Sequence, residues 1–166
     1  MMSTMTEFAV RDGYREIKFN GVLLGQSSSR RPDHWRWTDL NLYRTEGGTY
    51  ILEKIGASRV THVPSCPTAA DLPRFQEVYP GHDPDEDEFQ YHDCVPDFFD
   101  FPALRVERDR PWIQLSENPD TIIKALIRYR GDSRMMPRTS TTLLNQAAAV
   151  DPAVKAAYLR ADLRIA

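Results

Sequence analysis

The chain has 166 residues, of which 41% are hydrophobic and 10% aromatic, and its formal net charge is −3. This length and composition fit one folded domain and exclude an intrinsically disordered chain. No run of residues approaches the roughly 18 apolar positions that a membrane-spanning helix needs, and the N-terminus lacks the layout of a secretory signal. Two cysteines are too few for a disulfide framework. We therefore expect a single cytoplasmic domain over residues 1–166 that has no membrane segment.

Residues 14–63 have the pattern of an antiparallel β-meander. Apolar and polar residues alternate before Asn20-Gly21, a dipeptide typical of a tight hairpin turn. A longer strand is predicted over 34–44, and Glu46-Gly47-Gly48 predicts the next turn. Strands joined in this way by short turns build an antiparallel sheet.

The second half of the chain changes character. A short helix is predicted over 68–78, and 79–117 is an acidic connection that carries several aromatic residues. Residues 75–104 hold nine acidic side chains and neither Lys nor Arg. Capping residues and apolar stripes at helical spacing predict helices over 118–160.

Three helices are expected in that last range. Asn118-Pro119 opens the first, and Gly131 is expected to close it. Ser140 opens the second and Asp151 the third. The predicted fold class is α+β, with an N-terminal antiparallel β-meander packed against C-terminal helices.

The acidic connection contains residues that could bind a metal. Asp83, Asp85 and Asp87 alternate like calcium ligands, but Glu88 and Cys94 stand where an EF-hand loop needs Gly and Glu. The residue types that zinc accepts are present as well. The candidate metal ligands are His82, His92 and Cys94. Such a site would require His62 or Cys66 to be brought in from the sheet, and we predict neither a catalytic residue nor a bound cofactor.

A second interpretation is nucleic-acid binding. Single strands are held by cations placed beside aromatic rings, and a basic helix follows a phosphate backbone. The candidate residues form a basic-aromatic strand and a basic helix: Arg30, Arg31, Trp35, Arg36 and Trp37, and Lys124, Arg128, Arg130, Arg134 and Arg138.

The preferred interpretation is protein–protein binding. Aromatic side chains in an anionic segment are typical of surfaces that bind a partner protein. The candidate partner-binding residues are Phe89, Tyr91, Phe98, Phe99, Asp85, Glu86, Asp87 and Glu88. A metal-dependent enzyme is a further alternative.

Two stretches resemble the uncharacterised prokaryotic EXLDI family. They are the run Phe19-Asn-Gly-Val-Leu-Leu-Gly and the run Leu42-Tyr-Arg-Thr-Glu-Gly-Gly-Thr-Tyr-Ile-Leu, both within 14–63. The family's C-terminal signature is not met, because the corresponding residues read Ala161-Asp-Leu-Arg-Ile. The resemblance implies a bacterial accessory protein and assigns no functional residue. We expect a non-catalytic accessory or regulatory protein that binds another protein, within a multi-component bacterial system.

Overall fold

The computed structural model describes residues 5–85, 89–96 and 104–165, and its internal contacts divide the chain into two compact units. Unit 1 comprises Met1–Ser29, Asp39–Ile55 and Pro111–Ala166, and unit 2 comprises Arg30–Thr38 and Gly56–Arg110. The single domain expected from the chain length stays a prediction.

The described residues contain ten strands and five helical segments. The strands are β1 (Thr6–Asp12), β2 (Arg15–Ser28), β3 (Arg36–Thr45), β4 (Tyr50–Ser58), β5 (Val60–His62), β6 (Gln90–Tyr91), β7 (Arg105–Val106), β8 (Arg110–Ser116), β9 (Arg128–Arg130) and β10 (Ser133–Met135). The helices are α1 (Phe75–Val78), α2 (Pro119–Leu126), α3 (Arg138–Val150) and α4 (Pro152–Arg160), and a 3-10 turn covers Pro67–Ala69. Within the described residues, no helix is both long and apolar enough to cross a membrane.

The predicted fold class is confirmed. Five strands form a curled antiparallel sheet in the order β1-β2-β3-β4-β8, and the C-terminal helices include α3 and α4. In unit 1, residues of the sheet such as Leu42 and Leu52 share a buried core with Leu143 and Leu144 of α3 and with Ile122 of α2.

The hairpin turn predicted at Asn20-Gly21 is wrong. Both residues lie inside the long strand β2, where Asn20 pairs with Glu7 of β1. Gly21 is required there for a different reason: a Cβ atom on it would lie 2.3 Å from the backbone oxygen of Arg44. The first turn lies instead at Gly13, which has a φ of 62°.

The first C-terminal helix is shorter than predicted. α2 ends at Leu126 because Ile127 adopts an extended conformation, and Gly131 lies in the connection between β9 and β10 with a φ of 58°. The single helix predicted over 68–78 is replaced by the 3-10 turn and the short α1, between which Pro73 supplies no backbone N–H. The described part of the predicted connection 79–117 contains three strands, β6 to β8.

Unit 2 is built on a small sheet in the order β6-β5-β7. β5 pairs with β6 in parallel and with β7 in the antiparallel direction. Among its described residues, the core contains four buried side chains, Phe75, Phe89, Leu104 and Val106. This sheet carries the candidate site.

Candidate metal centre

Four side chains of unit 2, all of residue types that commonly bind metals, converge on one point. They are His62, Cys66, His92 and Cys94, and one ligand atom from each lies within 4.8 Å of those of the other three. His62 is 1% exposed and Cys66 7%, whereas His92 and Cys94 are half-buried. The four donors therefore surround a small volume that is largely shielded from water.

The parallel pairing of β5 and β6 explains why the two histidines meet. Val60 pairs with Gln90 and Thr61 with Tyr91, so the carboxyl ends of the two strands lie side by side. His62 and His92 occupy the next positions along these two segments, and their ring centroids are 4.5 Å apart. The backbone N–H of His92 continues the ladder by donating to the Thr61 carbonyl at 2.9 Å.

Two turns bring the cysteines to the same place. Cys66 closes a turn after β5 by donating its backbone N–H to the Val63 carbonyl at 3.0 Å. The backbone N–H of Val63 in turn donates to the Cys94 sulfur at 3.5 Å. The backbone N–H of Cys94 donates to Nδ1 of His92 at 3.2 Å, so Nε2 is the nitrogen of His92 that remains available to a metal.

Glu107 fixes the orientation and the tautomer of His62. Its Oε2 atom lies 2.7 Å from Nε2 of His62. A carboxylate only accepts hydrogen bonds, so Nε2 carries a proton, and in the neutral imidazole Nδ1 then keeps its lone pair. Nδ1 lies 3.8 Å from the Cys94 sulfur, on the side of the other donors. A carboxylate bound to the outer nitrogen of a ligating histidine is a frequent feature of zinc sites.

Glu107 is itself held firmly. Arg36 donates from Nε and Nη2 to its two oxygens at 2.8 and 2.6 Å, and the Ser58 hydroxyl donates at 2.7 Å. Burial acts to raise the pKa of Glu107, but the hydrogen bonds from Arg36, Ser58 and His62 outweigh it and lower the pKa to about 2. The carboxylate is thus ionised at neutral pH, as the tautomer of His62 requires.

The two thiols differ in their surroundings. The hydroxyl of Thr68 lies 3.1 Å from the Cys66 sulfur, and the hydrogen bonds from Thr68 lower the pKa of Cys66 to about 7. Burial raises the pKa of Cys94. Metals bind the thiolate form of cysteine. Cys66 is therefore ready to bind a metal near neutral pH, whereas Cys94 would release its proton to solvent when the metal binds.

A single tetrahedral ion fits this donor set. Two sulfurs and two nitrogens around zinc lie about 3.3–3.8 Å from one another, given the usual Zn–S and Zn–N bond lengths. The four atoms within 4.8 Å need to move inward by about one ångström or less to reach that geometry. A two-iron cluster with two His and two Cys ligands places the histidines on one iron and the cysteines on the other. The 3.8 Å approach of His62 Nδ1 to the Cys94 sulfur fits a shared single ion better.

The structure brings together two of the three metal ligands predicted from the sequence. His92 and Cys94 belong to the cluster, and His62 and Cys66 complete it, as a site in this segment required. His82 is exposed, lies near Tyr79 and is not part of the cluster. Glu107 was not predicted, because it lies 45 positions after His62 and no local pattern links the two.

The predicted partner-binding set is only partly described. Phe98, Phe99, Glu86, Asp87 and Glu88 lie outside the described residues.

The described members of that set are held within unit 2. Phe89 is buried in the core, where its ring lies 4.8 Å from that of Phe75, so it serves the fold and offers no surface to a partner. Tyr91 is half-buried and donates its hydroxyl to the exposed Asp85. The partner-binding role of the set stays a prediction.

The basic-aromatic strand predicted for nucleic acid lies in unit 2. Arg30 stacks over the ring of Trp37, with its guanidinium carbon 4.5 Å from the ring centroid, and Arg31 is exposed. Trp35 and Trp37 are half-buried, and the guanidinium of Arg36 binds Glu107. One of the predicted phosphate contacts is therefore engaged in support of the metal centre.

The predicted basic helix is not one element. Lys124 lies on α2, whereas Arg128 and Arg130 lie on β9 and Arg138 begins α3. Arg134 on β10 forms an ion pair with Asp162.

Comparisons with protein-family models, with curated proteins and with solved structures found no match to this chain. The resemblance to the EXLDI family is accordingly neither supported nor contradicted, and it stays a prediction.

Proposed function

We propose that this chain is a non-catalytic binding protein whose unit 2 is stabilised by a structural zinc ion. The observation that supports the proposal is the convergence of His62, Cys66, His92 and Cys94 to within 4.8 Å. Two thiolates and two imidazoles form a donor set that zinc prefers. This proposal departs from the sequence-based prediction of no cofactor.

The number of donors favours a structural role over a catalytic one. A catalytic zinc ion keeps one position open for water or substrate, whereas a structural ion is closed by four protein ligands. Here four side chains are available, and two of them, His62 and Cys66, are buried. A metal-dependent enzyme, which the sequence left open, would need one of these ligands to be replaced by water.

The ion would join two segments that are distant in sequence. One pair of ligands consists of the last residue of β5 and Cys66 beyond it, and the other pair follows β6, so a metal ion bound to both would close the chain between Cys66 and His92. Asp85 and Tyr91 of the predicted partner-binding set lie within or beside this closed segment. We propose that the zinc ion keeps that segment in the conformation that a partner protein recognises.

The first experiment is metal analysis of the protein purified without chelators or affinity metals. We expect inductively coupled plasma mass spectrometry to find about one zinc ion per chain, and we expect that zinc to be lost in the His92→Ala variant. The matched control is His82→Ala, which removes an exposed histidine ten positions away that does not belong to the cluster.

Replacement of zinc by cobalt provides a second measurement. Co²⁺ bound by two thiolates in a tetrahedral site absorbs visible light strongly, and the spectrum distinguishes this geometry from octahedral binding at the surface. Zinc well below one equivalent, or equal zinc in the two histidine variants, would contradict the proposal. Stoichiometric iron together with sulfide would show that the site holds an iron–sulfur cluster and not zinc.

Nucleic-acid binding is a second candidate, supported by one feature of unit 1. Tyr129 is 60% exposed on β9, and the neighbouring Arg128 and Arg130 are exposed as well. Successive residues of a strand point to opposite faces, so the ring lies on one face and the two cations on the other. Aromatic stacking and phosphate contacts together hold single strands. Its test is the affinity for a labelled oligonucleotide at increasing salt, where phosphate contacts predict a steep decrease. Binding that is absent at low salt, or unchanged in Tyr129→Ala, would exclude this surface.

A further inference from the structure

Both cysteines of the protein belong to the metal centre. The chain contains two cysteines, Cys66 and Cys94, and neither forms a disulfide. Their sulfur atoms lie within 4.8 Å of each other as members of the four-residue cluster. A single intramolecular disulfide is therefore possible, and its formation would remove half of the zinc ligands.

The positions of the two sulfurs make that reaction feasible. A disulfide requires the sulfurs to approach to about 2.05 Å. Each cysteine lies in a turn beyond the end of a strand, since Cys66 follows β5 and Cys94 lies in the turn that the Val95 N–H closes on the His92 carbonyl at 2.9 Å. The pairs that join β5 to β6 are Val60 with Gln90 and Thr61 with Tyr91, so neither cysteine takes part in them. Cys94 is half-buried and Cys66 is buried, so we expect a small oxidant to reach Cys94 first.

We propose that the metal centre is a redox switch, in which a peroxide converts the zinc-bound thiolates into a Cys66–Cys94 disulfide and releases the ion. This inference rests on the proposed zinc site. In the first step the Cys94 thiolate attacks one oxygen of hydrogen peroxide, the O–O bond breaks, and a sulfenic acid and water form after uptake of one proton. In the second step the Cys66 thiolate attacks the sulfenic sulfur and expels hydroxide, which takes up a second proton.

The reaction is balanced by the peroxide alone. Two thiolates lose two electrons, hydrogen peroxide gains them, and two protons give two molecules of water. Zn²⁺ keeps its charge and leaves because two imidazoles bind it more weakly than the complete donor set does. The disulfide still closes the chain between 66 and 94, so a thiol reductant restores both ligands without requiring unit 2 to fold again.

The sequence provides a direct assay for the cross-link. Trypsin cleaves after Arg59, Arg74 and Arg105 and so separates Cys66, in residues 60–74, from Cys94, in residues 75–105. Neither peptide contains methionine, so the mass of the linked pair is not complicated by sulfoxide formation. The zinc-loaded protein is treated with hydrogen peroxide in the presence of a colorimetric zinc indicator and is then digested without reductant.

We expect about one equivalent of zinc to be released at the same rate at which the linked peptides 60–74 and 75–105 appear. A thiol reductant should then return the zinc to the protein. The Cys66→Ser variant is the control for the cross-link, because it leaves one thiol and yields no such pair.

Two results would overturn the inference. One is zinc that stays bound while peroxide is in excess. The other is zinc release accompanied by separate peptides that carry sulfinic or sulfonic acid. Either outcome leaves the proposed zinc site intact, whereas a protein that holds no zinc before oxidation would refute the proposed function itself.

Discussion

Replacement of Glu107 by Gln provides the sharpest test of how the metal centre is built. Glu107 accepts four hydrogen bonds, two from Arg36, one from Ser58 and one from His62. All four bonds come from N–H or O–H donors, which belong to these three residues. An amide has one oxygen and one NH₂ group, so the NH₂ half of the new side chain would oppose the donors that the second carboxylate oxygen accepts.

The conflict acts on the tautomer of His62. If the amide oxygen keeps Ser58 and Nε of Arg36, the NH₂ group faces Nε2 of His62, which lies 2.7 Å from the corresponding oxygen in the native protein. His62 then avoids a clash of two donors by moving its proton to Nδ1, the nitrogen that points to Cys94. A protonated nitrogen is not a ligand, so binding of zinc would first require the less favourable tautomer.

The expected loss is a 10- to 100-fold decrease in zinc affinity, or about 1.4–2.7 kcal/mol. The free energy of zinc binding at structural sites is about 10–16 kcal/mol, so the variant should still contain zinc when the zinc concentration is high. The assay must therefore measure affinity, by competition with a chelator of known strength. The matched control is Glu117→Gln, which makes the same chemical change at an exposed position of unit 1.

The reasoning would be refuted by a Glu107→Gln variant that binds zinc within about twofold of the wild type and of the control. If the Glu107→Gln variant does not fold without metal, the Ser58→Ala variant provides the comparison. That change removes one donor to Glu107 and leaves the His62 contact, so it should reduce the affinity less.

Three further predictions concern the fold. Gly21→Ala should lower the free energy of unfolding, measured in urea, by about 1–3 kcal/mol because its Cβ would meet the Arg44 carbonyl at 2.3 Å. Gly47→Ala, with no neighbour closer than 3.9 Å, should lower it by about 0.5 kcal/mol or less. Asp151 is 2% exposed and caps α4 while it accepts from the hydroxyl of a buried tyrosine, so Asp151→Ala should cost more than the roughly 1 kcal/mol expected for Asn118→Ala at the exposed cap of α2. Removal of zinc by a chelator should increase amide hydrogen exchange in the sheet of unit 2 and leave the core strands of unit 1 protected; equal loss of protection in both units would show that the ion is not local in its effect.

The sequence predicted the elements that depend on local signals. Alternating polarity and Glu46-Gly47-Gly48 were enough for the meander, since β3 ends at Thr45 and β4 begins at Tyr50. Asp151-Pro152 correctly marked the start of α4. The failure at Asn20-Gly21 has a physical cause: the same glycine that permits a turn also permits the close approach of a neighbouring strand, and only the strand pairing distinguishes the two.

The metal centre could not be assembled from the sequence for a related reason. Each pair of ligands has an irregular spacing, with three residues between His62 and Cys66 and one between His92 and Cys94. The two pairs meet through a parallel ladder of two residue pairs, which no periodicity announces. Two of the ligands, His92 and Cys94, lie within the acidic connection, whereas the other two, His62 and Cys66, lie before it.

The architecture of unit 2 supplies a reason for a metal to be there. β6 has two residues and its parallel pairing with β5 covers two positions, which is far less than an independently stable sheet requires. The described residues of unit 2 contribute four buried side chains to its core, and the unit is shorter than the roughly 70–80 residues below which proteins usually add a disulfide or a metal. The two cysteines are free, and they lie with two histidines immediately after the short parallel strands, where a cross-link is most needed. An ion bound there would stabilise β6 against β5 by closing the chain between the two ligand pairs, so the weakness of the ladder and the position of the donors have one common explanation.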